Sequence, residues 1–508
     1  MKNRINRRDF LKILGLLPFT HYNLFLRPPE IGRDDITHPS ILIIVFDAFS
    51  THNISLYGYP RKTTPYLEQL ANRATVYHNH YAAGNFTTSG TASLLTGTYP
   101  WTHRAIQING KVQKEFQNRN IFHLFNDFYR ISYSHNQLVN IIQDQFVGDI
   151  DFYKLREDLT LGNNQWLQTL FKNDQDAATV SWARISGQIE DNLNSSLVLA
   201  NYISLFNQRK NKLIERDYPR GLPISSLDNF LLEDAVNWLQ SAIADFPIPF
   251  LGYFHFLPPH APYNTRIDFI DAFSEVSIPR KTKPRHPLAK VGRAKQPYGL
   301  APSRRTYDEY ILYVDSEFNR LFKKLEKSGI LDNTYLILTS DHGEMFERGI
   351  LGHTTPSLHD PVVRVPLMIF EPGQTDRRDV YTKTSAVDLL PTLLELTGKP
   401  IPPWVEGVVL PPYLPAYEEQ SVFAMEAKTN KPTRPLTSAS AMIVKGKYKL
   451  TKYFGYKYLP KSNTLVELYD IDNDPEELNE LSGAYPQITN QLLEELEAKL
   501  RSADEPYT

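Results

Sequence analysis

The chain has 508 residues, 55 Lys+Arg against 57 Asp+Glu, and no cysteine. A chain of this length admits a large core and two or more domains. The near-balance of charge gives no global pull toward nucleic acid or acidic membranes, and the missing thiols exclude disulfides, zinc–thiolate sites and thiol nucleophiles.

At the amino end, Arg7-Arg8-Asp9-Phe10-Leu11-Lys12 precedes the apolar run Ile13-Leu14-Gly15-Leu16-Leu17. This resembles a twin-arginine export signal, which predicts a periplasmic or otherwise extracytoplasmic protein. The alternative is a basic amphipathic arm on a cytoplasmic protein. The run is too short to span a bilayer, and no later segment is long and apolar enough, so no transmembrane anchor is expected.

Ser40–Phe46 is a near-continuous apolar run ending in Asp47. Such runs fit a central parallel strand buried on both faces. Asp47 then stands at a strand's carboxyl end, where open α/β sheets place their chemistry, or else opens the next turn as a cap. Thr64–Ala71 reads as a helix with Pro65 in its first turn and Thr64 as its cap. In Asn85–Pro100, hydroxyls (Thr87, Thr88, Ser89, Thr91) cluster where a loop enters a short helix around Ala92–Leu95. The amino end of a helix favours anions. A hydroxyl there is an ordinary cap or, with its pKa lowered, a nucleophile.

Ile121–Ser134 reads as helix, turn and strand. From about 137 to 222 the pattern blurs into a polar, aromatic-dotted stretch expected to be an insertion or lid. Leu227–Ala244 is an amphipathic helix, and Pro249–Phe256 a strand running into the rigid loop Leu257-Pro258-Pro259-His260-Ala261-Pro262-Tyr263. Residues 276–305 are basic and Pro-rich, an expected excursion. The helix Tyr307–Gly329 feeds a strand, Tyr335–Thr339, that ends in Ser340-Asp341-His342-Gly343-Glu344, where Gly343 permits a sharp turn. A carboxylate beside an imidazole suits a divalent cation; the bland alternative is a turn Asp with a structural His. His260 and His353, each alone, fit structural roles equally well. Val363–Phe370 is a strand, and Ala386–Thr397 a helix stopped by Gly398. From Ser421, four short strands (Ser421–Glu426, Ala441–Val444, Tyr448–Lys452, Val466–Tyr469) and a helix, Ile488–Leu500, predict a small antiparallel unit.

Taken in order, these pieces resemble the sulfatase branch of the alkaline-phosphatase superfamily. The resemblance rests on Ile43-Ile44-Val45-Phe46-Asp47, Leu56-Tyr57-Gly58-Tyr59-Pro60, Thr64-Pro65-Tyr66-Leu67-Glu68-Gln69-Leu70-Ala71 and Ala92-Ser93-Leu94-Leu95-Thr96-Gly97-Thr98-Tyr99-Pro100. It continues through Pro259-His260-Ala261-Pro262-Tyr263, Thr339-Ser340-Asp341-His342-Gly343, Arg364-Val365-Pro366 and the stretch Leu468–Asn479. It implies an α/β fold: a doubly wound, mostly parallel sheet flanked by helices, with a small C-terminal antiparallel α+β subdomain. The expected layout is a signal and linker at 1–37, a catalytic domain at 38–415 with its insertion at about 137–222, and a subdomain at 416–508. It also implies displacement at the sulfur or phosphorus of an ester, assisted by one divalent metal ion (Mn, Mg, Ca or Zn). By position, Asp47, Asp341, His342 and Thr87 are the implied metal ligands and Thr87 the nucleophile. His260 and His353 fall where the substrate oxyanion is held or the leaving group protonated.

The chain departs from the family pattern in three places. Sulfatases make a formylglycine from Cys or Ser followed by Pro or Ala and Arg; here the run is Thr87-Thr88-Ser89-Gly90-Thr91, and threonine cannot become that aldehyde hydrate. The acidic pair common after the first strand is Asp47-Ala48. The Gly-Lys-Trp-His element is replaced around His135-Asn136-Gln137. Relatives with an unmodified threonine include nucleotide pyrophosphatase-like phosphodiesterases and phosphoglycerol and phosphoethanolamine transferases. The expected function is therefore metal-dependent hydrolysis or transfer of phosphate esters through Thr87, with Thr88 as the nucleophile if the loop slips by one. Sulfate-ester hydrolysis without formylglycine is the alternative, and a non-catalytic anion- or glycan-binding relative a third reading. The expected partner is an anionic phosphate or sulfate ester of a lipid, glycan or small molecule, with no nucleic acid.

Overall fold

The computed structural model describes residues 38–161, 211–225, 228–276, 283–290, 300–414, 420–459 and 463–508, with Leu205 and Arg209. The twin-arginine-like segment lies outside them. Strand β1 (Ser40–Phe46) is buried along its whole length. Its alternate side chains feed two cores: Leu42, Ile44 and Phe46 enter one, Ile41, Ile43 and Val45 the other. That is why the run carries no polar interruption. Each aliphatic side chain so buried contributes about 1.5–3 kcal/mol.

After β1 come α1 (Pro65–Leu70), β2 (Thr75–Tyr81), α2 (Thr87–Thr96), β3 (Tyr129–Ser134), α3 (Gln137–Gln143), β4 (Phe152–Tyr153), α4 (Leu232–Ala242) and β5 (Phe250–Phe256). Then follow α5 (Leu300–Lys327), β6 (Thr334–Thr339), β7 (Leu367–Phe370), β8 (Arg378–Ser385) and α6 (Leu389–Leu396). The strands form one sheet in the order β8-β2-β7-β6-β1-β5-β3-β4. Only β7 runs antiparallel to its neighbours. Leu239 of α4 and Tyr310, Val314 and Phe318 of α5 cover one face. Ala92 and Leu95 of α2 and Leu390 and Leu394 of α6 cover the other. The sheet is thus doubly wound, as the sequence implies.

Four further strands, β9 (Val422–Glu426), β10 (Ala439–Lys445), β11 (Tyr448–Phe454) and β12 (Thr464–Asp470), pair antiparallel in chain order. Helix α7 (Pro486–Asp504) covers them with Leu492, Leu496 and Leu500, one face at a spacing of four. Within the stretch 137–222, α3 packs near the site and β4 extends the main sheet beside β3. Of the insertion or lid expected at about 137–222, residues 162–204, 206–208 and 210 lie outside the described residues. Among the described residues no helix is long and apolar enough to cross a membrane.

Three local expectations differ from the structure. Helix α2 starts at Thr87, ahead of the apolar residues that advertise it. Asp360–Val363 is a helical turn opened by Pro361, which shortens the strand expected over Val363–Phe370. Thr64 makes no side-chain cap to α1; its hydroxyl meets Ser55 Oγ at 3.1 Å. The cap comes instead from Asp315 of α5, whose carboxylate accepts the Tyr66 and Leu67 amides at 2.8 and 2.9 Å.

Burial pushes the Asp315 carboxyl up to about 7, against the two amides that favour its charged form. A carboxyl raised on folding binds its proton more tightly in the folded chain. Its contribution is therefore full below ~4 and is lost as pH rises through 7. Asp315→Asn cannot ionise, and it gives up one amide contact worth about 1 kcal/mol. Its stability deficit relative to the wild type, measured by urea unfolding, is expected to shrink from pH 4 to pH 8; a deficit constant over that range counts against the raised carboxyl.

Candidate active site

The register of the parallel strands assembles the site. Ser134, His255, Val45 and Thr339 lie in one row across β3, β5, β1 and β6. Two residues past that row stand Asn136, Asp47 and Asp341, at the carboxyl edge of the sheet. Residues far apart in the chain thus converge because four strands point the same way.

Asp47, Asp341 and His342 are fully buried, and each offers a donor atom within 4.8 Å of the others. His342 Nε2 is 3.4 Å from Asp47 Oδ1 and 3.5 Å from Asp341 Oδ2. Its Nδ1 faces the Gly343 carbonyl at 2.9 Å, which leaves Nε2 as the nitrogen aimed at the carboxylates. Thr87, the first residue of α2, reaches into the same cluster. Its Oγ1 lies 3.4 Å from Asp47 Oδ2 and 3.3 Å from His342 Nε2. No side chain caps the amino end of α2, so its amides and dipole face the site. Thr88 does not compete: its hydroxyl donates to the Ile108 carbonyl.

Close packing holds these pieces. A Cβ on Gly90 would lie 2.2 Å from the Asp341 carbonyl oxygen, so α2 can approach the Asp341 turn only with glycine there. Gly343 is needed for the same reason and not for a turn conformation, since its Cβ would lie 2.2 Å from the Pro361 carbonyl oxygen. Ala48 sits at φ 59°, in the left-handed region. Its amide donates to Asp341 Oδ1 at 3.3 Å and its carbonyl accepts from the Tyr307 hydroxyl at 2.5 Å.

Sequence reasoning missed several residues here. His255 Nε2 lies 3.4 Å from Asp47 Oδ2 and 3.7 Å from Asp341 Oδ2, with no hydrogen-bond partner. Asn136 Nδ2 donates to Asp47 Oδ2 at 2.5 Å and lies 3.4 Å from Thr87 Oγ1. Asn85 gathers the His353, Thr355 and Ser357 carbonyls at 3.2, 2.6 and 3.1 Å. The only sequence signal for His255 and Asn136 is their distance from a strand end, and it becomes readable once the strand order is known. The two expected histidines line up beside the cluster. The His353 ring lies 4.1 Å from His342 and 5.0 Å from His260.

Burial would raise the Asp47 carboxyl, but His260, His255 and His342 outweigh it and hold it well below its ordinary value. Burial and the Asp47 charge raise Asp341, against His342 and His255. Burial would lower His342, yet the two carboxylates lift it to about 9. Burial and His342 push His353 down to about 4, against Glu344, whose Oε1 is 3.1 Å from His353 Nδ1. Asp47 Oδ1 and Asp341 Oδ2 have no hydrogen-bond partner. Two buried carboxylates with orphaned oxygens, facing the Nε2 of one imidazole, are a donor set suited to a divalent cation.

The sulfatase family model matches residues 39–399. The chain belongs to the sulfatase family. A second model, N-sulphoglucosamine sulphohydrolase C-terminal, matches residues 355–504. Choline-sulfatase from Rhizobium meliloti is 33% identical over 184 residues, 35% of this chain and 33% of the relative. Human arylsulfatase K is 21% identical over 486 residues, covering 90% and 81%. Bovine arylsulfatase K, 29% identical, is matched over only 34% of its length. Among solved structures, the phosphonate monoester hydrolase of Agrobacterium radiobacter aligns with a TM-score of 0.65 at 19% identity, covering 92% of this chain and 96% of that one. A 2-O GAG sulfatase aligns at 0.63 and 18%, covering 92% and 93%. These likenesses establish the fold.

His255→Phe keeps a ring at this position and removes the nitrogen between the carboxylates. It is expected to weaken divalent-cation binding by about 10–100-fold in isothermal titration. Unchanged affinity would assign His255 to packing.

Proposed function

We propose that this sulfatase-family protein is a metal-dependent ester hydrolase or transferase that attacks phosphorus through Thr87. The observation that carries this reading is the Thr87 hydroxyl, poised between Asp47 and His342 at the open amino end of α2. Position 87 offers no thiol or serine hydroxyl from which an aldehyde hydrate could be made. Asp47, Asp341, His342 and Thr87 would hold one divalent cation (Mn, Mg, Ca or Zn). That ion would supply positive charge, lowering the pKa of a hydroxyl and offsetting charge on the ester oxygens.

The chain's own residues do the rest. Thr87 O–H points at Asp47 Oδ2, and Asn136 holds both oxygens in place. Thr87 Oγ1 gives its proton to Asp47 Oδ2 and forms a bond to phosphorus as the ester P–O bond opposite it breaks. His260, whose Nδ1 is fixed at 2.6 Å from the Ala261 carbonyl, is the residue that delivers a proton to the departing oxygen. His353 is suited to the opposite task. Neutral, with its Nδ1 proton on Glu344, it presents Nε2 as an acceptor for the proton of the water or alcohol that releases the phosphothreonine.

Sulfate-ester hydrolysis by the same hydroxyl is the second reading, favoured by relatives named arylsulfatase K and choline-sulfatase. One fold neighbour was solved with its substrate D-glucosamine-2-N,6-O-disulfate, which supports a glycan among the organic groups considered. The Arg7-Arg8 motif supports export.

The test is turnover of bis-(4-nitrophenyl) phosphate and 4-nitrophenyl sulfate by wild type and Thr87→Ala, with Mn, Mg, Ca or Zn added. Diester cleavage is expected, falling by roughly 10³-fold or more in the variant. Preferential sulfate cleavage would move the protein to the second reading. Cleavage undiminished in Thr87→Ala would remove the threonine from the chemistry.

A further inference from the structure

A second cluster of metal-ligating side chains lies outside the site just described. His286, His359 and Glu467 are all buried, and each places a donor atom within 4.8 Å of the others. They come from three parts of the chain. His286 stands at the start of the turn Pro287–Lys290, His359 immediately precedes the turn Asp360–Val363, and Glu467 lies on β12 of the antiparallel sheet. We propose that these three residues bind a zinc ion that joins the antiparallel sheet to the loops behind the Asp341 turn.

The donor chemistry fits. Two imidazoles and one carboxylate are a recognised zinc set, and three protein ligands fill most of a tetrahedral shell. Neither ring nitrogen of the buried His359 has a hydrogen-bond partner, and its Nδ1 lies 3.3 Å from Glu477 Oε2. A carboxylate near the far ring nitrogen favours the tautomer that presents the other nitrogen's lone pair to a metal. Glu467 Oε1 faces His286 Nε2 at 3.6 Å, and its Oε2 accepts from the Tyr453 hydroxyl at 3.1 Å. The nearby Lys449 is already engaged by Asp360 Oδ1 at 2.6 Å and Glu477 Oε1 at 2.8 Å. Among the described residues no Lys or Arg forms an ion pair with Glu467. A buried carboxylate facing only imidazoles and a phenol lacks a positive partner, and a dication supplies one.

One contact works against occupancy. The Leu288 amide lies 3.2 Å from His286 Nδ1 and donates to it, which places the ring proton on Nε2. Binding through Nε2 moves that proton to Nδ1 and gives up this long hydrogen bond. The gain is bonding at three buried donors.

The location gives the ion a structural task. The segment after His359 supports the first site directly: the Gly343 amide donates to the Val362 carbonyl at 2.6 Å and Ser50 Oγ donates to the Pro361 carbonyl at 2.7 Å. Zinc at His359 would anchor that segment to β12.

The experiment counts zinc. Full-length protein is stripped with chelator, re-equilibrated with excess Zn²⁺, passed through gel filtration and analysed by mass spectrometry for metal. Two equivalents are expected in the wild type, and one each in Asp341→Asn, Glu467→Gln and His359→Ala. Two equivalents retained in Glu467→Gln would overturn the proposal. So would a single wild-type equivalent that Asp341→Asn abolishes, a comparison that stands even where the His359 and Glu467 variants fail to fold. A single equivalent lost in Glu467→Gln and kept in Asp341→Asn would uphold this site and remove the metal from the first.

Discussion

The structure depends on holding two carboxylates, Asp47 and Asp341, side by side where water is excluded. In isolation each such charge costs several kcal/mol to bury. The protein meets that cost with imidazoles on two sides, His342 and His255, and with the amides of Ala48 and His342 on Asp341. The opposed shifts of the two carboxyls follow directly: the one surrounded by histidines stays charged, and its neighbour is raised by it.

The surroundings are built to keep that arrangement rigid. The Ala48 backbone is held in a conformation that non-glycine residues rarely adopt. The hydrogen bonds that hold it come from α5 through Tyr307 and from the Asp341 turn through Ser340, whose Oγ accepts the Phe49 amide at 3.0 Å. Gly90 and Gly343 let helix, turn and loop meet at backbone distance. The long helix α5 therefore serves both ends of the fold. Asp315 caps α1, and Tyr307 braces the loop after β1.

Much of the frame was legible in the sequence. The unbroken apolar run before Asp47, the strand before Asp341 and the hydroxyl-rich entry to α2 each carry a local signature, so the strands could be read, while the doubly wound class and the grouping of Asp47, Thr87, Asp341 and His342 were implied only by the resemblance to the sulfatases. His255 and Asn136 could not, because their roles depend on which strands flank β1. A histidine inside Phe250–Phe256 reads as one more buried ring until β5 is known to lie against β1. The cap of α1 was misassigned for the same reason: a nearby threonine was the local candidate, and the true partner lies in another helix. His286, His359 and Glu467 have no sequence pattern at all, since three loops and strands must meet before they are neighbours.

The apolar uniformity of β1 has a cost of its own. A strand with one wet face is registered by its hydrophobic alternation, because a slip of one residue turns the wrong side chains outward. β1 has no wet face, so its six apolar residues would bury almost equally well one step up or down. What distinguishes the correct alignment is its polar end, where the Asp47 amide meets the Phe256 carbonyl at 2.9 Å and its carboxylate meets Asn136. The residues that would handle the ester thus also act as the alignment mark by which the central strand finds its place during folding.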